Sequence, residues 1–354
     1  MLFLRLQRQF YFNHPLNKNA MLKKFLLSLL AIIVVAVVGL YVYVQASWDK
    51  KYDWPGPTLK TSTDSAVIAR GKYLVNGPAH CVSCHISGFD NMVAADEGKE
   101  VALQGGLTFQ LGPLGLIRTR NLTPDKKTGI GQYTDEQIFR MMRHGIRPNG
   151  MASMPIMMPF WKMADDDMVA VVSYLRSLQP VEHDVPDAEW TFIGKAVRTF
   201  TSTFKPIEHP DAPATAPAMA PTIERGEYLV RYVGNCVGCH TERDQMTYEA
   251  TGPEFAGGME FEPWPAFYKY LNVDTTLWMR SPNITPDPSG VFARFKTVDD
   301  FIARFRQGRL IPYSPMDWGP FSRMSDEDLT AIYLFLYNLK PVQKDVGPTV
   351  FKKE

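Results

Sequence analysis

All four cysteines of the 354-residue chain fall in two copies of one short pattern, Cys81-Val-Ser-Cys84-His85 and Cys236-Val-Gly-Cys239-His240. Two thiols three positions apart, followed at once by an imidazole, present two sulfurs and one nitrogen from a single turn of chain. That is the attachment pattern for c-type haem: the thiols add to the porphyrin vinyl groups as thioethers, and the histidine reaches back to the iron. A structural zinc site would need two more Cys or His ligands per motif. The other histidines, His14, His80, His144, His183 and His209, are not paired at ligand spacing. The pattern therefore calls for two covalent haem c groups with their iron. Cys81, Cys84, Cys236 and Cys239 are the attachment points, and His85 and His240 the proximal ligands.

The sixth ligand separates a relay from a reaction site, because an iron with both axial positions filled has no place for substrate. Thioether sulfur from Met also raises the reduction potential. In the second copy Met316 lies eight residues beyond Gly308 and eight before Met324. The first copy offers Met154, Met157 and Met158. Aligning Gly145 with Gly308 and Met163 with Met324 puts Met154 nine residues from each end, and Met158 is the alternative. A single Met is otherwise core filler. Arg118 and Arg280 each precede a matching asparagine, Asn121 and Asn283, by three residues. A guanidinium there either pairs with a haem propionate through charge-assisted bonds or is a solvated loop arginine. No Ser/His/Asp set, phosphate-cradling loop or paired-carboxylate site stands out, so no catalytic residue is expected.

Positioning these groups is the task of a repeated unit. Ala69–His85 and Glu224–His240 match at a constant offset of 155, and later landmarks recur with drifting offsets. Gly105-Gly106 answers Gly257-Gly258, NLTPD at Asn121 answers NITPD at Asn283, and the segment from Met163 answers that from Met324. A repeat this long means two copies of one fold. The expected fold class is all-α: two haem domains over 60–205 and 222–345, joined by a Pro/Ala-rich linker at 206–221 that reads as an extended, semi-rigid spacer. Thr134 with Gln137 reads as a capping box opening a helix that stops at Gly145, Thr297 opens its counterpart, and Ser325 caps the last helix. Met168, Val171, Val172, Leu175 and Leu178 form an amphipathic stripe. Residues 188–205 read as a helix packed on the first domain, with a membrane or partner contact as the other reading.

Phe25 to Val44 is an uncharged run of 20 residues, roughly 30 Å as a helix and long enough to span a bilayer core. Residues 1–48 hold five basic and no acidic side chains, which places 1–24 in the cytoplasm and the rest across the inner membrane, in the periplasm. The remainder has 33 basic and 37 acidic residues, a slight negative excess suited to a basic docking partner. Hydrophobic residues at 45% exclude wholesale disorder, and a net charge of +1 argues against a nucleic-acid binder.

The combination RGKYLV…CVSCH, then NLTPDKKTGIG, a Met-Pro loop and SYLRSLQPV resembles the membrane-bound cytochrome c subunits of bacterial alcohol, aldehyde and gluconate dehydrogenases. The resemblance covers roughly 65–345 and is most specific at NLTPD…GIG. It implies the class I cytochrome c fold, repeated, taking electrons from a dehydrogenase and passing them to quinone, a cytochrome or an oxidase. This chain has two haem motifs where that family usually has three, and its apolar segment is N-terminal where the family's anchor is often C-terminal. The alternatives are a dihaem enzyme such as a peroxidase with one open haem, and a haem subunit of a larger respiratory complex.

Overall fold

The computed structural model describes residues 18–154, 157, 159–202 and 204–353. It divides into two units, Met1–Trp48 and Asp49–Glu354. The described part of the first is one helix, α1 (Lys18–Ser47). Met21–Ser47 is long and apolar enough to cross a membrane, with a mean hydropathy of 2.9. Residues 1–17 lie outside the described part, as does most of the segment expected to be cytoplasmic.

In the second unit the repeat is visible as structure. The first copy runs α2 (Ser65–Asn76), α3 (Gly88–Asp96), α4 (Asp135–His144) and, as its last helix, α5 (Asp165–Ser177), with α6 (Phe192–Phe200) beyond it. The second runs α7 (Ile223–Tyr228), α8 (Cys236–Cys239), α9 (Pro265–Tyr270), α10 (Val298–Arg306), α11 (Trp318–Ser322) and α12 (Asp326–Tyr337). Local signals set the helix ends. The Thr134–Gln137 box closes in both directions, at 3.0 and 3.2 Å. Gly145 ends α4 at φ +67, where a side chain would strain the backbone. Thr297 pairs with Asp300 in the same way at α10. Met168, Val171, Val172 and Leu175 are buried, as the stripe on α5 requires.

The all-α expectation needs correction. Each copy also closes a small antiparallel sheet. β1 (Thr108–Gln110), β2 (Gly115–Arg118) and β3 (Glu189–Trp190) form one, and β4 (Glu260–Phe261), β5 (Leu277–Arg280) and β6 (Val350–Lys352) the other. The long Gly/Pro-rich stretches after each haem motif cannot be helical. They satisfy their backbone groups by pairing with the extended chain that follows the last helix of the copy. For the same reason 188–205 is a strand plus a helix. Helix α6 lies against the first copy, where a Cβ on Gly194 would sit 2.0 Å from the Leu114 carbonyl.

The first and last helices of each copy cross at a glycine. A Cβ on Gly71 would lie 1.9 Å from the Ala170 oxygen, and one on Gly226 would lie 2.0 Å from that of Ala331. Both copies contribute to one continuous apolar core. The joint between them is reciprocal. Tyr73 donates to Asp328 at 2.6 Å, and Tyr228 donates to Asp167 at 2.9 Å. Each phenol oxygen accepts an amide from the opposite copy, Ser325 N–H and Ala164 N–H, both at 3.1 Å. Arg70 and Arg225 clamp the same two carboxylates from within their own copies. Residues 206–221 are docked on the first copy: the Asp165 and Asp166 amides donate to the Pro213 and Ala214 carbonyls, and Ala216 N–H donates to the Asp166 carboxylate.

Candidate functional site

Each Cys-His motif is one tight turn opened by a residue in the left-handed region, His80 at φ +40 and Asn235 at φ +49. From there the chain winds once, His85 N–H donating to the Cys81 carbonyl at 3.0 Å and His240 N–H to that of Cys236 at 2.8 Å. None of the four cysteines is paired in a disulfide. Burial pushes the Cys81 and Cys236 thiols up to about 12, so they are neutral rather than metal-binding thiolates. Among the described residues no group of three or more His, Cys, Asp or Glu is arranged to hold a metal ion by itself.

His85 donates from Nδ1 to the Arg120 carbonyl at 2.8 Å, and His240 donates from Nδ1 to the Pro282 carbonyl at 2.9 Å. A carbonyl only accepts, so the proton resides on Nδ1 and Nε2 carries the free lone pair. Such a bond fixes tautomer and ring orientation in a metal-ligating histidine. Burial lowers both imidazole pKa values and keeps the rings neutral, the form that binds iron. The donor set therefore fits a haem at each motif: two neutral thiols and one lone pair on a single turn.

The repeated glycines explain how each carbonyl arrives. Gly105 N–H donates to the His85 carbonyl and Gly257 N–H to that of His240, at 3.0 and 2.8 Å. Gly105 has φ +70, and a Cβ there would lie 2.5 Å from the Arg120 carbonyl carbon. Gly105→Ala should therefore push away the carbonyl that orients His85. The expected result is a lowered melting temperature of the haem-loaded protein, with an altered spectrum at one haem. Gly88→Ala, at φ +73 with nothing within 4 Å, is the comparison that carries backbone strain alone. Equal effects from the two would refute the steric account.

The matching asparagines are latches rather than ligands. Asn121 is buried, donates to the Val181 carbonyl at 2.8 Å and accepts from Thr123 N–H at 2.9 Å. Asn283 does the same with Val342 and Thr285. Each ties the loop carrying the His-orienting carbonyl to the chain beyond the last helix. Arg118 donates to the Asp187 carbonyl at 2.7 Å and to Glu189 at 2.6 Å, and Arg280 donates to the Val346 carbonyl at 2.8 Å and to Glu260 at 2.6 Å. These protein partners were not foreseen from spacing. Met316 and Met157 are half-buried against the core, Met154 is half-buried, and Met158 lies outside the described residues.

The two turns are neighbours. A Cβ on Gly234 would be 3.5 Å from the Pro78 carbonyl oxygen and 3.7 Å from Cys236 Sγ. Asp317, next to Met316, lies 3.6 Å from Nε2 of His80, the residue before Cys81. Burial first, then the Asp317 charge, raises both the Cys84 and Cys239 thiols. Sequence reasoning missed this carboxylate, because nothing local marks it.

A family model for cytochrome c matches residues 68–179. The chain is 31% identical over 303 residues to the cytochrome c subunit of alcohol dehydrogenase (quinone) from Gluconacetobacter polyoxogenes, covering 80% of this chain and 58% of that protein. It is 29% identical over 308 residues to the gluconate 2-dehydrogenase cytochrome c subunit of Pantoea cypripedii, covering 82% and 63%. A diheme cytochrome c-type protein of Cereibacter sphaeroides is 29% identical over 185 residues, covering 50% and 58%. The chain thus spans about three-fifths of the length of these relatives.

Proposed function

The chain is a homologue of the cytochrome c subunits of dehydrogenases, and from that kinship we propose that it is a membrane-anchored dihaem c-type cytochrome of the inner membrane. Its role is to carry electrons from a periplasmic dehydrogenase or other donor to quinone, a cytochrome or an oxidase. Its body is read as two tandem class I cytochrome c domains that meet through the Tyr–Asp joint. Bound haem supplies a one-electron iron couple whose potential follows its axial ligands and surroundings. Cys81, Cys84, His85 and Met154, with Met158 as the alternative, would hold the first group. Cys236, Cys239, His240 and Met316 would hold the second.

The observation that carries this reading is that both turns present the same donor set in the same pose, each with a carbonyl-oriented imidazole. Pro78, Gly234 and Asp317 bring the two turns together, the arrangement that exchange between two redox groups requires.

The test is haem stoichiometry. The purified chain is expected to carry two haems by pyridine haemochrome assay and to titrate in two one-electron steps. The double substitution Cys81→Ala/Cys84→Ala should leave one haem and one step. A colourless wild-type chain, or two haems retained in the double variant, would overturn the reading.

A further inference from the structure

One carboxylate of the second copy stands beside both Cys-His turns with its charge uncancelled. Asp317 lies one residue beyond Met316 and faces His80 across the joint, 3.6 Å from its Nε2. His80 immediately precedes Cys81 and opens the first turn at φ +40. Its Nδ1 donates to the Pro78 carbonyl at 3.0 Å, and its ring meets that of Phe321, on the helix that follows Asp317, edge-on at 5.3 Å. The Pro78 carbonyl is in turn 3.5 Å from a Cβ placed on Gly234, two residues before Cys236. The carboxylate therefore touches the side chain that opens the first turn and adjoins the methionine expected at the second haem.

Nothing neutralises it. A separation of 3.6 Å is too long for a hydrogen bond, so His80 is a neighbour and not a donor. Among the described residues no lysine or arginine lies within ion-pair distance of Asp317. Acids on neighbouring elements are held by cations: Asp96 by Arg309 at 2.7 Å, Glu242 by Lys344 at 2.7 Å and Glu260 by Arg280 at 2.6 Å. The Asp317 side chain is only 24% exposed, so solvent and salt screen it less than a surface charge. Its field reaches one thiol of each turn, Cys84 and Cys239, adding to the effect of their burial.

Uptake of an electron by a haem removes one unit of positive charge, so a fixed negative charge nearby favours the oxidised state. We propose that Asp317 is a shared tuning residue that lowers the reduction potential of both haems. This rests on haem attachment at both turns. The first copy has no counterpart at this position, since Met154 and Met158 are each followed by proline. One residue of the second copy thus acts on both redox groups.

The experiment is an optical redox titration, at fixed pH, of the detergent-extracted, haem-loaded chain, with covalent haem counted in parallel. Asp317→Asn removes the charge and keeps the shape. Both steps should move to higher potential, the reduced-to-oxidised ratio at fixed poise rising about threefold at each, which is about 28 mV for one electron. Haem content should remain two per chain. Asp317→Glu keeps the charge and should leave both steps near their wild-type positions. Glu224→Gln removes an exposed charge from the first turn of α7 and should move neither. Full haem content with only one step moved, or with neither moved, overturns the shared role. An equal rise from Asp317→Glu overturns it too, because packing and not charge would then be responsible. If Asp317→Asn lowers haem content, His80→Lys decides: it sets an ammonium against the carboxylate and should raise both steps. Haem loss from that variant as well would make the pair structural and overturn the proposal. A wild-type chain with fewer than two haems instead overturns the function on which the proposal rests.

Discussion

Asp328→Ala should cost the folded protein about 3–5 kcal/mol, the scale for breaking a fully buried ion pair from one side. Asp328 and Arg225 are both 0% exposed, with Arg225 Nε 2.8 Å from the carboxylate. The same carboxylate accepts the Tyr73 phenol across the joint at 2.6 Å. Truncation therefore leaves a guanidinium and a hydroxyl without their partner in a space that water cannot reach. The equivalent change in the first copy, Asp167→Ala, should cost less, because Arg70 is 19% exposed and can turn to solvent. Tyr73→Phe should cost only about 1 kcal/mol, one hydrogen bond's net worth. Denaturant unfolding of the haem-loaded chain reads all three. A loss below about 1 kcal/mol for Asp328→Ala, or equal losses at both aspartates, would contradict the buried-joint account.

Gly226→Ala should be destabilising by about 3 kcal/mol, at the upper end of overpacking costs. The added methyl would sit 2.0 Å from the Ala331 oxygen, 2.6 Å from its carbon and 2.8 Å from Phe335 Cβ. The first two are main chain of α12, so no side chain can rotate aside. The helices must separate, and α7 carries the approach to the Cys236 turn. Loss of stability should therefore come with a lower yield of the second haem. Gly71→Ala should reproduce the effect on the first haem, since its Cβ would lie 1.9 Å from the Ala170 oxygen. A wild-type melting temperature and two haems per chain in either variant would show that the crossing is looser than the geometry states.

How far the sequence could be read depended on the range of each interaction. The tight turn of Cys81, Cys84 and His85 was legible because its spacing lies within one turn of chain. The Thr134 and Thr297 caps and the Gly145 stop were legible for the same reason: their partners lie within four residues. The 155-residue repeat disclosed that two units share a plan and flagged Gly105, Gly257, Asn121 and Asn283 without disclosing their work. Their partners are carbonyls up to 60 positions away, and carbonyls leave no trace in residue identity. The sheets were missed because strands of two to four residues carry too little alternation to register. Arg118 and Arg280 show the limit from the other side. Their spacing to the asparagines recurs, yet each meets a glutamate of its own sheet.

By itself the sequence determined the spacing of the two Cys-His turns, the apolar span of Phe25–Val44 and the recurrence of matched segments, because covalent spacing and length suffice for each. Only the tertiary structure decided that Tyr73 meets Asp328 across 255 positions and that Asp317 lies beside both Cys-His turns. Those placements follow from how two packed copies dock. Docking is set by summed contacts along the joint, which no short stretch of chain encodes.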